Sequence, residues 1–239
     1  MATALARIIL TVARGEAQLR DRRTAAYEND RPEVQALVPR HARRILDLGC
    51  SSGALGAALK SRQGAEVVGI ELDPVYAARA AQRLDRVMAT DLEELEAAPA
   101  DLGRFDCLIA ADVLEHLRDP WRVLRIMTRI LEPGGAAVLS LPNVRYWETF
   151  AALGLKGVWP VADEGIFDRT HLRWFTSLDA VTLIHQAGLE VSVISPQYRL
   201  RPRDWRSARQ GRRFARTPLA PFFVFQYVIA AVKVPEAAA

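Results

Sequence analysis

The sequence predicts an α/β fold, a mostly parallel sheet with helices on both faces. Three observations lead there. Short apolar runs alternate with amphipathic helical stretches along most of the chain, which is the pattern of strands joined by crossover helices. Helix-start signals recur between those runs. The first apolar run ends in a glycine-rich turn that leads straight into a helix, the place where such sheets bind ligands.

Taken in order, Leu5, Ile8, Ile9 and Val12 fall at i, i+3, i+4, i+7, so the chain is expected to begin with an amphipathic helix. Its apolar run is short and leads into Arg14, Glu16 and Arg20, which argues against a secretory leader. A polar link follows to Arg31, and Pro32 opens a short helix to Val38. Arg44–Leu48 is a strand, Ser52–Ser61 a helix and Glu66–Leu72 a strand. Asp73-Pro74 pairs a cap with a first-turn proline and starts a helix to Leu84. Arg86–Thr90 and Phe105–Ala111 are strands. Asp119-Pro120 repeats the capping pair for a helix to Leu131. Pro133-Gly134-Gly135 turns the chain into the strand Ala136–Leu141. Thr176–Asp179 has capping-box spacing for a helix to Ala187, stopped by Gly188. Leu189–Ser195 and Phe222–Val232 close the series.

The domain reading is a helix and link over 1–31, then one domain over 32–239. Two connections, 142–176 and 196–221, are too long for simple turns, and long structured connections are usually functional.

Of 239 residues, 50% are hydrophobic and 25% charged, which excludes a disordered or fibrous chain. Two cysteines, Cys50 and Cys107, cannot make a disulfide framework. Both lie in apolar runs, as reduced thiols of a cytoplasmic protein do. The longest apolar stretch, Pro221–Val232, is too short to span a bilayer. The net charge is +4, yet Arg199–Arg216 alone holds eight Arg and one Asp. The body is therefore mildly acidic, unlike a uniformly basic nucleic-acid binder.

Asp47-Leu48-Gly49-Cys50-Ser51-Ser52-Gly53 forms the turn after the first strand, and Glu71 ends the second. A carboxylate there suits the two hydroxyls of a ribose. Ser51 replaces the second glycine of the dinucleotide fingerprint. There is no Tyr-x-x-x-Lys and no phosphate-binding G-x-x-x-x-G-K-[ST]. An acidic residue two positions before the first glycine suits a ligand with a cationic amino group.

The stretches ILDLGCSSG (45–53), VGIELDP (68–74), Asp91-Leu92, FDCLIAADVLEHLRDP (105–120) and LEPGGAAVLSLPN (131–143) together resemble class I S-adenosylmethionine-dependent methyltransferases, in their order and spacing. The resemblance implies a Rossmann-like, seven-stranded sheet whose last strand is antiparallel. It implies S-adenosyl-L-methionine as cofactor, S-adenosyl-L-homocysteine as product and no metal. Asp47, Gly49, Cys50, Ser51 and Gly53 would line the methionine part. Glu71 would hold the ribose with Leu72 beside the adenine. Asp91 would accept from the adenine amino group with Leu92 close by, and Ala110 and Ala111 would pack beneath. Ser52 departs from the acidic or glycine residue of many members.

Methyl transfer to an alcohol is helped by a base, and histidine suits that near neutral pH. His116 follows the fourth strand, and His171 lies in the long connection after the fifth, both on the ligand side. They are the candidate catalytic residues. Asn143, Arg145, Asp168 and Arg169, the candidate acceptor-binding residues, belong to a second block, from LPN through DRTHLR to Thr176. It resembles bacterial methyltransferases encoded with glycosyltransferases and, more distantly, MetW proteins, while the core resembles ubiquinone-pathway O-methyltransferases. The expectation is O-methylation of a sugar or natural-product hydroxyl. An RNA methyltransferase and a non-catalytic cofactor-binding partner are the rivals. In the family the connection before the last strand returns to the ligand edge. Arg199, Arg201, Arg203 and Arg206 there would meet a phosphorylated acceptor, a membrane surface or RNA, or pair among themselves.

Overall fold

Alternation along the chain becomes alternation in space. The computed structural model describes residues 28–200 and 208–234. Its sheet holds β1 (Arg44–Leu48), β2 (Glu66–Glu71), β3 (Arg86–Ala89), β4 (Phe105–Ala111), β5 (Leu131–Pro142), β6 (Leu189–Tyr198) and β7 (Val224–Lys233). The strand order is β3-β2-β1-β4-β5-β7-β6. β1 through β5 pair in parallel, and β7 runs antiparallel to both β5 and β6. The order reverses between β1 and β4, so a crevice opens at their carboxyl ends.

Helices α1 (Pro32–Gln35), α2 (Ala54–Gln63), α3 (Pro74–Ala80), α4 (Pro120–Thr128) and α5 (Ser177–Gln186) connect the strands. The capping signals act as read. Asp73 accepts from the Val75 N–H, Asp119 from Arg122, and Thr176 with Asp179 closes a reciprocal box. Leu46, Leu48, Val68, Leu108 and Leu139 are buried on one face of the sheet. Ile45, Val67, Cys107, Ile109 and Val138 are buried on the other. This is why the strands are apolar throughout rather than alternating.

Several boundaries differ from the expectation, four of them for a clear local reason. α2 begins at Ala54 because Gly53 is left-handed, φ 79°. α3 stops at Ala80, and the chain turns so that Asp85 can accept from the Val67 N–H at 2.8 Å. β5 starts at Leu131 because Leu131 pairs with Phe105 before the Pro-Gly-Gly excursion. β6 runs past Pro196 to Tyr198 because it is the sheet edge and bonds only β7, where a missing N–H costs nothing. The expected first helix lies outside the described residues. Among the described residues no helix is long and apolar enough to cross a membrane.

Candidate active site

The turn after β1 is shaped by three left-handed residues, Gly49 (φ 62°), Ser51 (φ 50°) and Gly53 (φ 79°). A Cβ on Gly49 would stand 2.5 Å from Cγ2 of Val113, so the backbone lies bare where glycine is required. Ser51, not a glycine, is held in place by Glu71, whose Oε2 accepts the Ser51 N–H at 2.8 Å. Oε1 accepts the Asp73 N–H at 2.9 Å. Leu72 beside it is 65% exposed, an apolar shelf open at the crevice.

Asp47 is buried beneath the turn. Burial, with the nearby Glu71 charge adding, pushes its carboxyl up to about 7, against the pull of Arg31. Burial also raises Glu71, opposed by its two backbone donors. Cys50 is buried with its sulfur packed against Gly69, so only its backbone faces the turn's concave side. Asp91 accepts the Glu93 N–H at 2.8 Å, Leu92 is buried, and Ala110 lies in the core at the end of β4 with Ala111 partly exposed after it.

The sequence reading missed a polar network across the neighbouring strand ends. Arg31, itself left-handed, donates to Asp112 and Glu33, each at 2.6 Å, and to Ser140 at 3.0 Å. Ser140 donates to Asp112 at 2.6 Å, and Gln226 bonds the same carboxylate. Burial works against charge on Arg31, but Asp112 and Glu33 outweigh it and keep the guanidinium charged. Asp112 also stands in the left-handed region, φ 56°, a strain found at ligand-facing positions.

The connection after β5 folds back over this edge. The N–H groups of Leu172 and Arg173 donate to the Glu115 carbonyl at 2.8 and 3.0 Å. That clamp sets His171 against His116, ring centroids 4.7 Å apart. His171 Nδ1 lies 3.2 Å from the Ile166 carbonyl. A carbonyl only accepts, so Nδ1 carries the proton and Nε2 keeps its lone pair. Burial, then His116, lowers the His171 pKa below the usual imidazole range. The Glu115 side chain is buried, and burial raises its carboxyl well above the usual range, with Asp112 adding. Ligand atoms of Glu115, His116 and His171 all lie within 4.8 Å of one another. That donor set suits a small divalent ion, a grouping invisible in sequence spacing.

The second block is divided between the loop and its scaffold. Asp168 accepts from the Thr170 N–H and hydroxyl, at 2.8 and 2.7 Å, and shapes the turn before His171. Arg169 pairs with Asp163 at 2.6 Å. Asn143 is fully buried, its amide donating to the Pro221 and Val224 carbonyls at 2.8 Å. Arg145 is exposed and lies over Phe222. Arg199 stacks on Phe225, 4.3 Å from the ring centre, and burial lowers its pKa against the opposing pull of Tyr146, Glu33 and Asp112. Arg201, Arg203 and Arg206 lie outside the described residues.

Residues 15–193 match the family model described as a methyltransferase domain. The chain belongs to this family. Within it the methyltransferase is of the class I, S-adenosylmethionine-dependent kind. It is 31% identical over 184 residues to the ubiquinone biosynthesis O-methyltransferase of Alkalilimnicola ehrlichii, covering 70% of this chain and 72% of that protein. It is 33% identical to the namesake from Pseudomonas aeruginosa strain LESB58, over 64% of this chain and 66% of that one. The fold is similar to a methyltransferase structure from Thermotoga maritima, possibly a histamine N-methyltransferase by its description. The TM-score there is 0.60 at 18% identity, over 92% and 95% of the two chains.

The residues of the methyltransferase fit the cofactor its family implies. The bare Gly49 backbone, the partly desolvated Glu71 carboxylate and the exposed Leu72 form one cradle. Asp47 is buried with a raised pKa, and a cationic amino group bound nearby would favour its charged form.

Proposed function

We propose that this enzyme methylates a hydroxyl group of a small-molecule acceptor, with sugars and natural products the first class to test. The observation that carries the reading is His171, half-buried at the crevice edge with its Nε2 lone pair kept available by the Ile166 contact. The sulfonium cofactor supplies an electrophilic methyl group. Glu71 and the turn after β1 hold and orient it. His171 Nε2 takes the proton of the acceptor hydroxyl as the oxygen attacks, while Glu115 and Asp168 fix the loop that carries the imidazole. The O-methyltransferase names of the curated relatives support oxygen as the target atom.

The test is release of S-adenosylhomocysteine from the full chain against a panel of phenols, sugars and nucleotide-linked sugars, with NMR of the product. A new methoxy signal supports the proposal. Methylated nitrogen or RNA, or tight cofactor binding with no turnover on any acceptor, overturns it. Arg199 at the cleft favours the phosphorylated members of the panel, because an arginine fork matches phosphate oxygens.

A further inference from the structure

The connection after β5 exposes an apolar face that the reaction does not use. Phe150 is 61% exposed, Leu155 76% and Val161 71%, with Leu153 and Trp159 also open. Phe150–Leu155 is a π-helical turn, and the chain segment before β7 abuts it. Arg145, on the near side, lies over Phe222, and an apolar groove of about 280 Å³ runs between Phe150, Leu153 and Phe222. Phe214 stacks on Phe223 with ring centroids 3.9 Å apart. The same segment presents exposed Arg209, Arg212, Arg213 and Arg216, and residues 208–223 contain no acidic residue.

Contiguous exposed apolar surface marks an interaction site, and here its chemistry is two-part. Aliphatic and aromatic side chains are exposed on one segment, and arginines are exposed on the segment that abuts it at Phe222. Trp159 packs edge to face on the exposed Trp174, centroids 5.3 Å apart. Tryptophan favours the boundary between hydrocarbon and water. Arginines beside it favour a negatively charged surface. Within the same connection, Asp163 is already paired with Arg169. A nucleic acid would match the arginines but leave Leu153, Leu155 and Val161 without a use.

We propose that this face docks the enzyme on an anionic lipid bilayer, with Phe150 and Leu155 entering the headgroup boundary and the arginines meeting lipid phosphates. The face lies on the crevice side of the sheet, so docking turns the acceptor entrance toward the membrane. The inference rests on the surface alone and stands whether or not the acceptor is an alcohol.

The test is co-sedimentation of the full chain with phosphatidylcholine vesicles, pure and carrying about a third phosphatidylglycerol. Binding is expected only to the anionic vesicles and should weaken as salt rises. Phe150→Ser with Leu155→Ser should lower the partition constant at least about tenfold, two apolar side chains being withdrawn. Arg212→Gln with Arg213→Gln should flatten the salt dependence. Melting temperature and S-adenosylhomocysteine affinity should stay constant, since these side chains are exposed and outside the crevice. No binding by the parent protein overturns the proposal, as does equal binding to both vesicle types. So does a Phe150/Leu155 variant that keeps its vesicle binding but loses self-association measured for the parent protein, which assigns the face to a second copy.

Discussion

The imidazole rings of His116 and His171 meet edge to face, with 68° between their planes. Burial makes His171 resist protonation, and a charged His116 at that spacing adds to the effect. His171 therefore stays base-competent below the pH at which a free imidazole would be lost.

His171→Ala should lower kcat by about 10²–10⁴ if its Nε2 takes the acceptor proton. His116→Phe keeps the burial but removes the like charge, so the acid limb of kcat/KM should move to higher pH. Stability follows the same sign. The unfolded chain takes up this proton first as pH falls through about 6.5, so the folded state loses stability below that pH. A pH–rate profile in which His116→Phe leaves the limb in place removes the coupling.

Asp47 predicts a proton balance. Its carboxyl stands at about 7, so near neutral pH roughly half the molecules carry a proton there. The unfolded chain binds fewer protons, so stability falls as pH rises toward 7. A bound cationic amino group should lower the pKa and expel the proton. Calorimetry of S-adenosylmethionine binding in buffers of different ionisation enthalpy should show net release of a few tenths of a proton. Asp47→Asn should abolish that release, and an unchanged balance would place the amino group elsewhere.

Glu71 has two duties that separate by substitution. Glu71→Ala removes the proposed ribose acceptor and the anchor of the Ser51 and Asp73 N–H groups. Lost charge-assisted bonds at about 1.5–3 kcal/mol each should weaken cofactor affinity at least about tenfold. Glu71→Gln keeps the size and one acceptor oxygen and should lose less. Equal affinity across all three proteins would take Glu71 out of the site.

Gly49→Ala tests the bare backbone. A left-handed alanine and a contact with Val113 should cost about 1–3 kcal/mol, seen as a melting temperature lower by several degrees. Val113→Ala in the same chain should recover part of that loss. A fully additive pair would mean that Val113 is not what the new methyl meets.

The Glu115, His116 and His171 cluster makes zinc a probe. Nitrogen and carboxylate atoms within 4.8 Å should capture Zn²⁺ and occupy the His171 nitrogen the reaction needs. Added Zn²⁺ should inhibit, and chelation should leave kcat unchanged or restore it. Loss of activity on chelation, recovered by a divalent ion, would make the cluster a working metal centre instead.

The fold was legible because its signals are local. Asp73-Pro74, Asp119-Pro120 and the Thr176–Asp179 box act between near neighbours, and the apolar runs of β1, β2 and β4 mark strands buried on both faces. The glycine turn and Glu71 were also readable, since a strand end fixes where its last residues stand. What the sequence could not carry is contact across chain closure. Arg31 meets Asp112, Ser140 and Gln226 only because β7 begins beside the ends of β4 and β5. Asn143, from the same block as His171, turns inward because two carbonyls before and within β7 claim its amide. His171 reaches His116 because the Glu115 carbonyl pins the returning loop. Periodicity and caps are set by residues a turn apart, so the sequence alone determined the elements and the glycine turn. The pairing of charges and imidazoles at the crevice depends on which strand ends become neighbours, and that was decided only when the sheet closed.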